Sequence, residues 1–215
     1  ISPPGIGVGN AETKARGVGL TDLRNSLFER LHGFVTRTPE VANIAAGLLD
    51  HQGRMHHEIA QFVNERFYEG RLSVVPLEHQ EGSLNYAPSR TPMELFVAST
   101  RMGFVNVAAP EVSDNVKANK AEAEVVATLV EALIHLNERS GMPLSLPKQL
   151  GIIVPFRNQI SMVRASLRAR GITDVDSITI DTVECYQGSQ RDFIIFTTTI
   201  SRPYQLDILS VCQQV

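Results

Sequence analysis

The sequence predicts an α/β fold, a parallel sheet with helices on both faces. Three observations predict it. "LGIIVPF" is a short, nearly all-apolar run and "FIIFTTTI" opens on four apolar residues, as strands of a parallel sheet covered on both faces do. "KANKAEAEVVATLVEALIHLNERSG" and "RNQISMVRASLRARG" carry apolar residues at helical spacing. The two kinds of segment alternate through the second half of the chain, as they do where crossover helices cover a parallel sheet.

In order along the chain, residues 1–17 are rich in Gly and small residues and read as a loop or tail. "TDLRNSLFERLHG" reads as a short helix with Leu23, Leu27, Phe28 and Leu31 on one face, Thr21 or Asp22 as its cap and Gly33 as its stop. A second helix follows His56, with Ile59, Phe62, Val63 and Phe67 recurring at helical spacing and Gly70 closing it. "RLSVVPLEHQ" reads as extended, "EGSLNYAPSRTPM" as irregular and "GFVNVAA" as a strand. The long helix turns Val126, Leu129, Val130, Leu133 and Leu136 inward, and the next one Ile160, Val163 and Leu167, with Gly171 beyond its end. "SITIDTV" and "FIIFTTTI" complete the strands.

Composition narrows the function. The chain has 215 residues, 43% of them hydrophobic, enough for one substantial core. A net charge of -3 gives no global pull on a polyanion, so any nucleic-acid contact must come from a local groove. Cys185 and Cys212 are too few for a disulfide framework and read as buried thiols in a reducing compartment. No apolar run is long enough to span a membrane, and an intracellular, cytoplasmic setting is expected. The absence of an initial Met and the abrupt apolar end suggest a segment of a longer protein.

The stretch "HQGRMHHEIAQF" concentrates three of the six histidines. A zinc-protease helix would need His at both ends of H-E-x-x-H, but His57-Glu58 is followed at the third position by Gln61, a poor zinc ligand; no metal site is expected. Ligands of open parallel sheets sit beyond the carboxyl ends of the strands, where "VPFRNQ" and "DTVECYQGSQRD" fall. Neither G-x-x-x-x-G-K-[ST] nor G-x-G-x-x-G occurs, so the chain has no phosphate cradle of its own.

"HQGRMHHEIAQFVNERFYEG", "GIIVPFRNQI" and "TIDTVECYQGSQRDFIIFTTTIS", in this order and with these gaps, resemble the second RecA-like domain of superfamily 1 helicases. The group is the one containing the nonsense-mediated-decay RNA helicase and the replication nuclease-helicases. "NSLFERL" and Asn119-x-x-Glu122-Ala123 agree, and the likeness runs from about residue 18 to the end. It implies a RecA-like domain over 18–215, incomplete at its C-terminus, with an Arg-bearing V-A-L-T-R-A-R-like segment expected beyond Val215.

The resemblance also implies roles. Arg54 matches the Arg of the family's Q-Y-R-M-H motif, which reaches the γ-phosphate across a cleft between two RecA-like domains; a planar, permanently charged fork suits that task. Gln52, Gln187, Gly188 and Gln190 take nucleotide-facing positions. Gly53 stands where the family has an adenine-stacking Tyr, and Gln190 where it has Glu. Pro155, Phe156, Asp181 and Thr182 match residues that meet single-stranded DNA or RNA, although Val154 and Phe156 replace the Thr and Tyr of T-P-Y-x-x-Q. ATP and Mg²⁺ would be bound mainly by the first RecA-like domain of the same parent protein, and this chain alone would hydrolyse no ATP. The alternative is a degenerate helicase domain serving as an interaction module. Arg157, Arg164 and Arg168 form a basic helical stripe of the kind usually found on solvated faces.

Overall fold

The computed structural model of the protein describes residues 26–83, 85–107 and 117–200. They fall into two compact units: residues 26–55 and 60–80 in one, 56–59 and the described residues of 81–200 in the other. In chain order the elements are α1 (Leu27–Val35), α2 (Pro39–Ala45), β1 (His51–Gln52), α3 (His57–Phe67), β2 (Ser73–Val74), α4 (Glu78–Glu81), α5 (Pro92–Ser99), α6 (Lys120–Arg139), α7 (Leu146–Gln149), β3 (Leu150–Ile153), α8 (Arg157–Ala169), β4 (Thr179–Asp181) and β5 (Phe193–Phe196). Short 3₁₀ turns cover Val175–Ser177 and Val183–Tyr186.

In the first unit β1 and β2 pair in parallel, His51 opposite Ser73 and Gln52 opposite Val74. Helix α1 begins after Ser26, whose hydroxyl accepts the Glu29 N–H at 3.1 Å, and runs through Gly33 to Val35. The expected stop at Gly33 is therefore wrong, and the expected caps Thr21 and Asp22 lie outside the described residues. Of the four residues expected on one face, Leu27, Phe28 and Leu31 are exposed, and Leu23 lies outside the described residues. On α3 Ala60 is buried and Ile59 and Val63 are half-buried, while Phe62 and Phe67 are exposed, so periodicity identified the helix and only part of its packed side. Helix α2, which the apolar pattern did not reveal, starts at a Pro in its first turn, where the missing N–H costs nothing.

The second unit holds a parallel sheet in the order β4-β3-β5. Alternate residues Leu150, Ile152 and Val154 enter the core with Val126, Val130 and Leu133 of α6 and Val163 and Leu167 of α8. Asn119 caps α6 by accepting the Glu122 N–H, and Gly171 follows α8 at φ +73°, the left-handed conformation that glycine adopts freely. "RLSVVPLEHQ" contains only the two residues of β2 before α4 begins, and residues 103–107 of "GFVNVAA" form no strand. "TPMELFVAS" is instead the helix α5, with Thr91 accepting the Glu94 N–H at 3.1 Å and Pro92 in its first turn. The Glu94 carboxylate makes a two-pronged ion pair with Arg139, at 2.5 and 3.1 Å, tying α5 to α6.

Register places the functional segments. Ile153 pairs with both Asp181 and Phe196, so β3, β4 and β5 end level with one another at their carboxyl edge. Val154 N–H extends the ladder to the Asp181 carbonyl and Thr197 N–H to the Ile153 carbonyl, each at 3.0 Å. The chain turns away only after these bonds.

Candidate nucleotide and nucleic-acid site

In the first unit, Arg54 sits on a turn held by glutamine side chains. Gln52 Oε1 accepts the N–H groups of Arg54 and Met55 at 3.0 and 2.7 Å, and its Nε2 donates to the Met55 carbonyl at 2.9 Å. Gln80, fully buried, donates to the carbonyls of Gln52 and Met55, both at 3.0 Å. His79 Nε2 lies 3.1 Å from the Gly53 carbonyl. The turn is thus fixed, while the Arg54 side chain is exposed and has no partner among the described residues. Gln52 is a scaffold for that turn, with its amide oxygen already taken by two backbone donors. Gly53 is not required by the backbone: among the described residues a Cβ there would meet only Leu77 Cδ1, at 3.5 Å.

In the second unit the carboxyl edge brings together Pro155, Phe156, Asp181 and Thr182. Pro155 and Phe156 are half-buried between β3 and α8, and Phe156 occupies the N-cap position with no side-chain cap bond. Asp181 Oδ1 accepts the Thr182 N–H at 2.8 Å, shaping the start of the 3₁₀ turn. The Glu184 carboxyl is held below its ordinary range by its own backbone N–H and the Thr182 hydroxyl. Thr182 therefore already serves this turn, and the turn itself carries two acids. Positive charge at this edge comes from Arg157, whose guanidinium has no partner among the described residues; Arg164 and Arg168 both pair with Asp176, at 3.0 and 2.6 Å. Among the described residues that acid leaves Arg157 as the one member of the expected three-residue basic stripe without an ion pair.

Gln187, Gly188 and Gln190 follow on an exposed turn. Gly188 has φ +80° and Ser189 N–H closes back on the Tyr186 carbonyl at 3.0 Å, so a glycine is needed here. Tyr186, absent from the expected site, anchors the turn: its hydroxyl reaches the Thr179 carbonyl and, at 3.3 Å, that of Ile152. Cys185 is exposed, contrary to the expected buried thiol, and the neighbouring Asp181 pushes its pKa up, which makes it a poor nucleophile. Cys212 lies outside the described residues.

The histidine cluster of the opening motif is divided by burial. Ligand atoms of His56, His57 and Glu58 come within 4.8 Å of one another. His56 is buried, and desolvation, followed by the charge of Arg101, lowers its pKa; that same charge opposes a cation at this place. Among the described residues no helix is long and apolar enough to cross a membrane.

Of the residues that shape these sites, Gln80, Tyr186 and Gln159 escaped sequence reasoning as scaffolds. Gln159 and Tyr186 lay inside quoted motifs, whereas a lone Gln in a polar run such as "LEHQEG" carries no pattern.

Residues 23–210 match the AAA domain family. Regulator of nonsense transcripts 1 from Dictyostelium discoideum is 28% identical over 197 residues, covering 85% of this chain and 13% of that protein. Its homolog from Arabidopsis thaliana is 30% identical over 194 residues, covering 85% and 14%. Helicase sen1 of Schizosaccharomyces pombe is 25% identical over 153 residues, covering 70% and 8%. The chain thus spans only a small part of the length of these relatives. It belongs to the AAA domain family, as the second RecA-like domain of a superfamily 1 helicase in the group that contains the nonsense-mediated-decay helicase.

Proposed function

We propose that this chain is the second motor domain of an ATP-dependent nucleic-acid helicase or translocase, which completes an ATP site held mainly by a first RecA-like domain. The observation that carries this reading is Arg54: an exposed guanidinium, without a partner among the described residues, on a turn that Gln52 and Gln80 make rigid. A preset planar cation stabilises charge spread over transferred phosphoryl oxygens without reorganising at the moment of reaction. Gln187, Gly188 and Gln190 lie towards the nucleotide, Gln190 accepting from a ribose hydroxyl. The Pro155–Phe156 and Asp181–Thr182 turns, with Arg157 beside them, contact single-stranded DNA or RNA. Their charge favours contact through backbone N–H groups, the Phe156 ring and Arg157 rather than through the acids.

ATP supplies the phosphoryl group and the first domain holds Mg²⁺; this chain orients and neutralises. It therefore hydrolyses no ATP alone, and its parent protein works inside the cell on nucleic acid. Gly53 and Gln190 favour a second reading, an interaction module that has lost turnover. Measuring ATP hydrolysis by the full-length protein with and without single-stranded DNA or RNA separates the two. Stimulated turnover supports the motor, and strand binding without turnover supports the module.

A further inference from the structure

A buried hydrogen-bonded chain joins two loops of the carboxyl edge, and no residue in its middle belongs to the proposed site. It starts at Gln159, fully buried in the first turn of α8, whose backbone N–H donates to the Phe156 carbonyl at 3.0 Å. The Gln159 amide grips the backbone of Asn119 on both sides, accepting its N–H at 2.7 Å and donating to its carbonyl at 2.9 Å. Asn119 Nδ2 donates to Glu122 Oε1 at 3.1 Å. The other oxygen of Glu122 accepts the Thr197 hydroxyl and, at 2.8 Å, the Thr199 backbone N–H. The Thr198 hydroxyl reaches Oε1 at 3.3 Å.

At the far end Thr199 has φ +58°. A β-branched residue in the left-handed region is strained, and such strain persists only when the surroundings over-determine it. Thr199 is fully buried and its own hydroxyl finds no partner among the described residues, so its side chain does not compensate the strain. The bond from its N–H to Glu122 does.

We propose that Glu122 is a positioning residue that locks the exit of β5 in this left-handed turn and, through Asn119 and Gln159, keeps that exit in register with the Pro155–Phe156 turn. The functional consequence rests on the nucleic-acid reading above: the two loops present a strand-binding edge of fixed spacing. The structural claim does not depend on that reading. Removing the carboxylate charge with Glu122→Gln puts an amide donor against Asn119 Nδ2 or against Thr199 N–H, breaking the chain at its centre without changing side-chain volume.

The test uses the full-length protein and four forms: wild type, Glu122→Gln, Thr199→Gly and the double variant. Hydrogen exchange at a temperature where all remain folded gives the first readout. Glu122→Gln is expected to speed exchange both at residues 197–199 and at residues 156–159, by about tenfold, the factor carried by one net hydrogen bond. Thr199→Gly in that background is expected to restore protection at the β5 exit, because glycine holds a positive φ without help. In strand-stimulated ATP hydrolysis, Glu122→Gln is expected to lose about tenfold in stimulated turnover with an unchanged KM for ATP, and the double variant to recover most of it. Exchange that quickens only at residues 197–199, or uniformly across the unit with no rescue by glycine, overturns the proposal. A wild type without stimulated turnover refutes the motor reading instead, and the exchange pattern still decides the role of Glu122.

Discussion

The ring of Tyr186 occupies the space that a Cβ on residue 151 would need: such an atom would lie 2.6 Å from Tyr186 Cε1 and 2.9 Å from Ile194 Cδ1. Gly151, in the middle of β3, is what lets the turn after β4 fold back over the sheet and bond to the Thr179 carbonyl. Gly151→Ala should therefore destabilise the second unit by about 1–3 kcal/mol, the ordinary cost of overpacking. Urea unfolding of wild type and variant measures it; equal midpoints would mean that the ring moves aside freely.

Glu94 and Arg139 form a largely buried pair, and hydrogen bonding to Arg139 holds the Glu94 carboxyl below its ordinary 4.5. Glu94→Gln leaves Arg139 without its counter-charge and should cost about 3–5 kcal/mol. The pair's contribution is fully present above pH 4.5 and is lost as pH falls through the lower folded value. Stability measured from pH 6 to 3 should therefore fall more steeply in wild type than in Glu94→Gln.

His56 titrates in the same direction for another reason. Burial and then Arg101 depress its pKa below 6.5, with His57 adding to the effect and Glu58 opposing it. The folded state thus takes up its proton later than the unfolded chain. Its contribution is complete above pH 6.5 and disappears as pH drops through the folded value. Thermal melts of His56→Asn should lack this segment of the pH dependence.

Gly53 has room for a side chain, with Leu77 Cδ1, at 3.5 Å from a Cβ built there, as the one close neighbour among the described residues. Gly53→Tyr should fold normally and, by offering a stacking ring, raise ATP affinity of the full-length protein about tenfold, within the range of an aromatic stacking contact. Unchanged nucleotide affinity in equilibrium titration would place residue 53 away from the base.

The legible and illegible parts of this protein divide by the range of the interactions involved. Strands β3–β5 and helices α6 and α8 announce themselves because their apolar period is local and their partners are one another. Helices α2 and α5 are too short for periodicity to speak, although Thr-Pro followed by Glu, as in Thr38-Pro39-Glu40 and Thr91-Pro92 with Glu94, marks both starts. Arg54, Phe156 and Thr182 were legible only as parts of motifs. What those motifs did not reveal is scaffolding across long separations: Gln80 on Met55, Gln159 on Asn119, Glu122 on Thr199. The Asn-x-x-Glu pattern at the start of α6 caps that helix, but the same Glu122 also reaches Thr197, Thr198 and Thr199, 75 to 77 residues away.

The most direct test of the account is strand-stimulated ATP hydrolysis by the full-length protein, comparing wild type with Arg54→Ala and Arg54→Lys. A phosphate-facing Arg54 predicts a loss of about a thousandfold in turnover for Arg54→Ala with ATP binding retained, and little rescue by Lys, which lacks the planar fork. Stimulated turnover within a few-fold of wild type in Arg54→Ala would contradict the account, because the one exposed guanidinium on that rigid turn would then have no part in the chemistry.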